Sequence, residues 1–375
     1  MARAIVLAEG YLGEDSGKTA NGLVLHAVTH EIVAVIDSKK AGKDAGQVVA
    51  GKTRNIPVVA TFEDALKFKP EVFYIGVATA GGYLPDSFRE AVRKALKAGL
   101  TVYNGLHIFL SEDPEFAPLV AAGKAKVIDV RKPPAIKDLR VADGRIQKVA
   151  VPRVLIMGMD CDIGKRLTVL EIVRAAKARN LDFGFVATGQ TGCMLGPDAG
   201  TVIDRVPADF AAGQVEKMIC DVAEAKKPDV VFIYGQSSIQ HPSYSGVSLA
   251  CLHGAAPTVV VLQVAPDRKE RAIFPHMKMG PIKDEIQLIE KLGDTEVVAC
   301  SVNGKGIRDI PAACKRVTKE TGLPAIDPIS GSAEELLDVI LAALAKKGFK
   351  VGTKKGAALA KKAATPAKKA QVINA

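Results

Sequence analysis

Apolar residues recur through the first 130 positions in short runs separated by helical spacing. Ala4–Ala8, Glu31–Asp37, Val72–Ala78 and Thr101–Asn104 read as buried strands. Between the last two, Phe88–Ala98 (FREAVRKALKA) has the period of an amphipathic helix, closed by Gly99 as a C-cap. Strand and helix in alternation predict a parallel sheet with helices on both faces. Arg131–Pro134 stops regular structure with two prolines. Residues 137–150 are expected to form a short hairpin across Asp143-Gly144. A second alternating unit starts at Arg153 with an apolar strand, a glycine-containing loop and a helix. Its later strands are expected at Phe183–Ala187, Val230–Tyr234, Thr258–Val264 and Glu296–Ser301, and its last helix at Ala333–Lys346. The chain thus divides into an α/β domain at 1–134, a linker at 135–151, a second α/β domain at 152–347 and a tail at 348–375.

Composition agrees with this picture and narrows it. The chain has 375 residues, 48% hydrophobic and 25% charged, enough for a sizeable core and too apolar for global disorder. Its net charge of +10 belongs to the end: Lys346 to Ala375 holds nine Lys and no acid, leaving the body at +1. The tail reads as disordered, able to touch anions nonspecifically, and a specific nucleic-acid surface on the body is not expected. Apolar runs are strand-sized, well short of the roughly 20 residues of a membrane span. Glu9 arrives too early for a secretory signal, so a soluble cytoplasmic protein is expected. The six cysteines form no CxxC pair, which speaks for reduced thiols and against a structural zinc site.

The loop Gly158-Met159-Asp160-Cys161-Asp162-Ile163-Gly164-Lys165 carries the chemistry. A glycine-containing loop at a helix N-terminus presents backbone N–H groups to an anion, and Lys165 adds a full charge. The loop resembles that of dethiobiotin synthetase. Arg166 and Leu167 stand where a nucleotide hydrolase has its Mg²⁺-binding hydroxyl, and Thr168 is the first hydroxyl. Phosphate binding without cleavage is therefore open, with coenzyme A as one such ligand. Ser16-Gly17-Lys18-Thr19 looks like the end of another P-loop but lacks the upstream glycine, so it reads as a helix-opening turn or a ligand rim. Gly189, Gln190, Thr191 and Gly192 follow one strand as a second close-approach segment. The polar stretch Tyr234–Gly246, including Gln236, Ser237, Ser238, His241, Tyr244 and Ser245, follows another.

The segments GMDCDIGK (158–165), VATGQTG (186–192), HPSYSGVSLACLHGAAP (241–257), NGLHIFLSEDP (104–114) and DVRKPP (129–134) together resemble the D-glutamate N-acetyltransferase (N-acetyl-D-glutamate synthase) family over residues 1–345. The resemblance implies a Rossmann-like N-terminal domain and a P-loop NTPase-like, doubly wound C-terminal domain. It also implies acetyl transfer from acetyl-CoA to the amine of D-glutamate in D-amino-acid catabolism; separately, a homo-oligomer is expected. Met159, Arg166-Leu167 and Ser237 depart from the family pattern.

Such a reaction assigns roles. Gly158, Cys161, Gly164, Lys165, Arg166 and Thr168, with Gly189–Gly192, would hold the acyl donor. His241 or Asp160 would accept the ammonium proton. Arg268 and Arg271 would clamp a diacid, with Gln236, Ser237, Ser238, Tyr244 and Ser245 lining the substrate. Cys161 or Cys193 as an acetyl carrier is a lesser option. A Mg-ATP-dependent ligase or kinase and a non-catalytic nucleotide sensor are the rival readings. A dehydrogenase is disfavoured because Gly10-Tyr11-Leu12-Gly13 is not GxGxxG.

Overall fold

The computed structural model describes residues 1–272 and 274–352. Six strands form the first sheet: β1 (Arg3–Leu7), β2 (Glu31–Ile36), β3 (Val58–Val59), β4 (Val72–Ile75), β5 (Thr101–Asn104) and β6 (Lys126–Asp129). All pair in parallel in the order β3-β2-β1-β4-β5-β6, the Rossmann arrangement. The chain reverses its direction of growth between β1 and β4, which leaves a crevice at their carboxyl ends. The helix Lys18–His26 begins there. Both faces of β1 are buried, which is why it reads as a continuous apolar run. Ile5 and Leu7 join one core with Phe73, Phe88 and Val102; Ala4 and Val6 face another with Leu23 and Val24.

The second half holds β7 (Arg153–Gly158), β8 (Phe183–Ala187), β9 (Ala199–Gly200), β10 (Val230–Tyr234) and β11 (Val259–Val264). A two-stranded antiparallel arm, β12 (Glu270–Arg271) and β13 (Phe274–Lys278), comes next, and then β14 (Val297–Val302) and β15 (Ala325–Ile326). The parallel sheet runs β15-β14-β11-β7-β10-β8-β9, with the loop-bearing β7 at its centre. Val154 and Ile156 of β7 share an apolar cluster with Ala4, Val6 and Leu23 of the first half, while Leu155 and Met157 face the second half's own core. One apolar layer therefore passes from domain to domain.

The hairpin expected at 137–150 is absent. Two 3-10 turns, Ile136–Asp138 and Arg145–Lys148, stand in its place. The reason is Glu216, a buried carboxylate on the helix Ala208–Lys226, which accepts from the backbone N–H of Asp143 at 2.9 Å and Ile146 at 3.0 Å. Gly213 on that helix admits the segment: a Cβ there would lie 2.0 Å from the Arg140 carbonyl oxygen. Leu139 and Ile146 are buried in the second half's core, so this linker packs with the P-loop half. At the other end, Phe349 and Val351 pack against the shared core. Residues 353–375, most of the expected basic tail, lie outside the described residues. No described helix is long and apolar enough to cross a membrane.

Candidate active site

Gly158 ends β7 and Lys165 opens the helix Lys165–Ala178. Gly164 takes φ +101°, where only glycine is unstrained, and Asp162 takes φ +48°. Left-handed residues in such a loop gather successive N–H groups into an anion-binding concavity. A Cβ on Gly158 would stand 2.8 Å from the Lys165 side chain, so this glycine gives the lysine its path. Lys165 is 6% exposed and donates from Nζ to the Asp160 carbonyl at 2.6 Å. Burial pulls its ammonium below the ordinary value.

The arm β12–β13 straps this loop from behind. Arg268 donates to Asp160 Oδ2 at 3.1 Å, to the Cys161 carbonyl at 2.8 Å and to the Asp162 carbonyl at 3.3 Å. Arg271 donates to the Met159 carbonyl at 3.1 Å, and the Ala272 N–H to Asp160 Oδ2 at 2.8 Å. The two arginines expected to clamp a diacid are thus committed to the loop. The sequence could not show this, because the strap meets the loop across more than 100 residues.

Asp160 and His241 do come together, but both are fully buried. His241 Nε2 lies 3.6 Å from Asp160 Oδ1, and neither atom has a hydrogen-bond partner. The His241 ring sits between Tyr244 at 4.6 Å and Phe274 at 5.5 Å. Its Nδ1 accepts from the Ser243 N–H at 3.2 Å, which puts the ring hydrogen on Nε2, aimed at Asp160. Burial lowers this imidazole below its ordinary value, with Asp160 pulling the other way. In this geometry the His241 ring faces the Asp160 carboxylate. Asp160, Cys161 and His241 also place donor atoms within 4.8 Å of one another, a set that suits a divalent metal. The hydrogen on Nε2 makes that nitrogen a donor and works against such ligation.

The stretch after β10 is anchored from within. Glu285, fully buried on the helix Ile282–Gly293, accepts from Ser238 Oγ at 2.8 Å, the Ile239 N–H at 2.7 Å and Gln240 Nε2 at 2.8 Å. Ser238 is therefore a fold contact. Gln236 donates to the Thr188 carbonyl at 2.8 Å, and Ser237 Oγ lies 3.2 Å from Cys161 Sγ. Tyr244 precedes and Ser245 opens the helix Ser245–Ala255, both half-buried. Burial pushes the Cys161 thiol up, and that of Cys193 up to about 12, which disfavours the thiolate that an acetyl carrier needs.

The segment after β8 serves the joint between domains. Gln190 Nε2 donates to Thr19 Oγ1 at 3.0 Å, and Thr191 Oγ1 lies 3.2 Å from the same hydroxyl. Gly189 and Gly192 make room for Tyr234, whose ring a Cβ would meet at 2.9 and 3.1 Å. Arg166 lies at the same joint: a Cβ on Gly22 would stand 3.5 Å from its guanidinium. Thr168 Oγ1 is buried against Gln263 and, at 2.9 Å, Ser301. Gln190, Thr191 and Thr168, expected at the acyl donor, thus make hydrogen bonds within the protein here. Arg131 joins the halves once more, donating to both oxygens of Asp204 at 2.8 and 2.7 Å. Beside the strap opens a cleft of about 530 Å³, lined by Met159, Arg268, Lys269, Lys278 and Glu320 among others.

Comparison with known proteins agrees with this architecture. Residues 140–337 match the P-loop domain, and residues 38–133 the Rossmann-like domain, of the family described as domain of unknown function DUF1611. A crystal structure of a DUF1611 family protein from Anabaena variabilis superposes with a TM-score of 0.83 at 35% identity, covering 91% of this chain and all of that one. A D-glutamate N-acetyltransferase from a Pseudoalteromonas species is 32% identical over 73% of this chain and 82% of its own length. Another, from Tritonibacter scottomollicae, is 32% identical over 75% of this chain and 84% of its own. On both halves of its fold and on these relatives, the chain belongs to the DUF1611 family of D-glutamate N-acetyltransferase-like enzymes.

Proposed function

We propose that this protein transfers the acetyl group of acetyl-CoA to the amine of D-glutamate, in the breakdown of D-amino acids. The observation that carries the reading is the 32% identity to two D-glutamate N-acetyltransferases along most of the chain. The amine nitrogen forms an amide bond to the acetyl carbon as the C–S bond breaks. One ammonium proton goes to solvent and another to the departing thiolate.

The loop Gly158–Lys165 would take the phosphates of the donor, by its amides and the Lys165 ammonium. Arg166 in the place of a Mg²⁺-binding hydroxyl, and the commitment of Thr168 to Gln263 and Ser301, favour coenzyme A over Mg-ATP as the ligand. With Arg268 and Arg271 holding the loop, Lys269 and Lys278 of the strap are the cations left for a diacid in the adjoining cleft. Neither makes an ion pair among the described residues. Calorimetry with acetyl-CoA and with Mg-ATP, on wild type and Lys165→Ala, tests the reading. The expected result is acetyl-CoA binding that weakens at least about tenfold in the variant, with thiol release on adding D-glutamate but not L-glutamate. Turnover of Mg-ATP without binding of acetyl-CoA would overturn it in favour of a ligase or kinase.

A further inference from the structure

The Ser16-Gly17-Lys18-Thr19 segment, which is no P-loop of its own, sits over the real one. Lys18 opens its helix at the Rossmann crevice and reaches across the domain joint to Asp162, Nζ to Oδ1 3.0 Å. The helix is pinned there from several sides. A Cβ on Gly17 would lie 1.9 Å from the Tyr11 carbonyl oxygen, and one on Gly22 would lie 3.2 Å from Thr191. Thr19 meets Gln190 and Thr191. The position of Lys18 over the loop is thus set by packing rather than by its own ion pair.

The ion pair itself calls for an explanation. Lys18 and Asp162 are 40% and 55% exposed, and a pair so wet adds almost nothing to stability. Asp162 nevertheless occupies a left-handed position inside a loop built to attract anions, where a carboxylate repels phosphate. Lys18, Lys165 and Arg268 together hold its carboxyl below the ordinary range, against the effect of burial. The side chain lies where several cations converge.

We propose that Lys18 is a second cation of the phosphate site, supplied by the Rossmann half, and that Asp162 competes with the phosphate for it. A pyrophosphate group on the loop then takes Lys18 from Asp162, and Asp162 turns to solvent. Because Lys165 comes from one domain and Lys18 from the other, the bound group bridges the two halves. The inference rests on the proposed function only in needing a ligand that carries pyrophosphate, a group that acetyl-CoA and ATP share.

The test is calorimetry with inorganic pyrophosphate, acetyl-CoA and ATP on wild type, Lys18→Ala, Lys18→Arg and Asp162→Asn, together with acetyl-transfer kinetics. Lys18→Ala is expected to weaken binding about tenfold and Lys18→Arg far less. Asp162→Asn breaks the same pair but frees the cation, so it is expected to tighten binding. In kinetics the change falls on KM for acetyl-CoA more than on kcat. A purely structural pair predicts the same sign for Lys18→Ala and Asp162→Asn, and that result overturns the proposal. So does equal affinity of wild type and Lys18→Ala, or wild type binding none of the three probes. Binding of ATP in place of acetyl-CoA, still weakened by Lys18→Ala, would leave this inference standing and sink the acetyl-CoA reading.

Discussion

His241 has one ring nitrogen occupied by the Ser243 N–H and the other aimed at Asp160, so it lacks a free lone pair for a substrate proton. A positioning role toward Asp160 and a general-base role predict different outcomes, and the distinction is measurable. His241→Gln, which can still donate toward Asp160, is expected to keep acetyl-transfer kcat within about tenfold of wild type. His241→Phe removes the polar group that faces the buried Asp160 carboxylate and is expected to lose far more. A general base would lose its typical factor of about 10²–10⁴ in both variants. Glu285 is the residue that sequence reading missed, because one of three acids in IKDEIQLIEKLG resembles any solvated helix position. Only the fold shows that it is buried beneath three donors. Glu285→Ala is expected to destabilise the protein by about 2–4 kcal/mol in denaturant unfolding, since those donors lose a charged acceptor. A change below about 0.5 kcal/mol would mean that water replaces the carboxylate freely.

The helix Lys18–His26 is the element that joins the two sheets, and its last residue gives it a pH signature. Burial lowers the His26 imidazole to about 4, with Arg166, Arg54 and Arg174 adding to the effect. The folded pKa lies below the unfolded value of about 6.5, so the unfolded chain binds the extra proton in between. Stability held above pH 6.5 is therefore lost as pH falls toward 4. His26→Asn is expected to flatten melting temperature against pH in this window. An unchanged slope would place the acid sensitivity elsewhere. The strands β12 and β13 left a weaker trace in the sequence, because a two-residue strand has no period to read. The interior strands β5, β8 and β10 begin and end where the apolar runs do. The short edge strands β3, β9 and β15 were not legible, since edges bury too little to impose a pattern.

Across the whole molecule, one apolar layer holds Ala4, Val6 and Leu23 of the first half together with Val154, Ile156 and Met194 of the second. Residues 135–352 expressed alone are expected to expose that face, bind a hydrophobic dye and aggregate, and to be rescued by co-expression with residues 1–134. A monomeric, dye-silent fragment would show that the halves fold independently. Arg131–Asp204 and Lys18–Asp162 are polar contacts at the rim of the same joint.

The sequence by itself determined the two parallel sheets and the phosphate-type loop. Buried strands must be apolar along their length, and a loop that feeds a helix N-terminus must carry glycine where φ is positive, as at Gly164. Both constraints act within a few residues. The tertiary structure alone decided which polar side chains remain free for a ligand. Arg268 and Arg271 are taken by the loop, Gln190 and Thr191 by the domain joint, and Ser238 by Glu285. A buried polar group must find a partner wherever the fold brings one, and those partners lie from about 45 to more than 170 residues away along the chain.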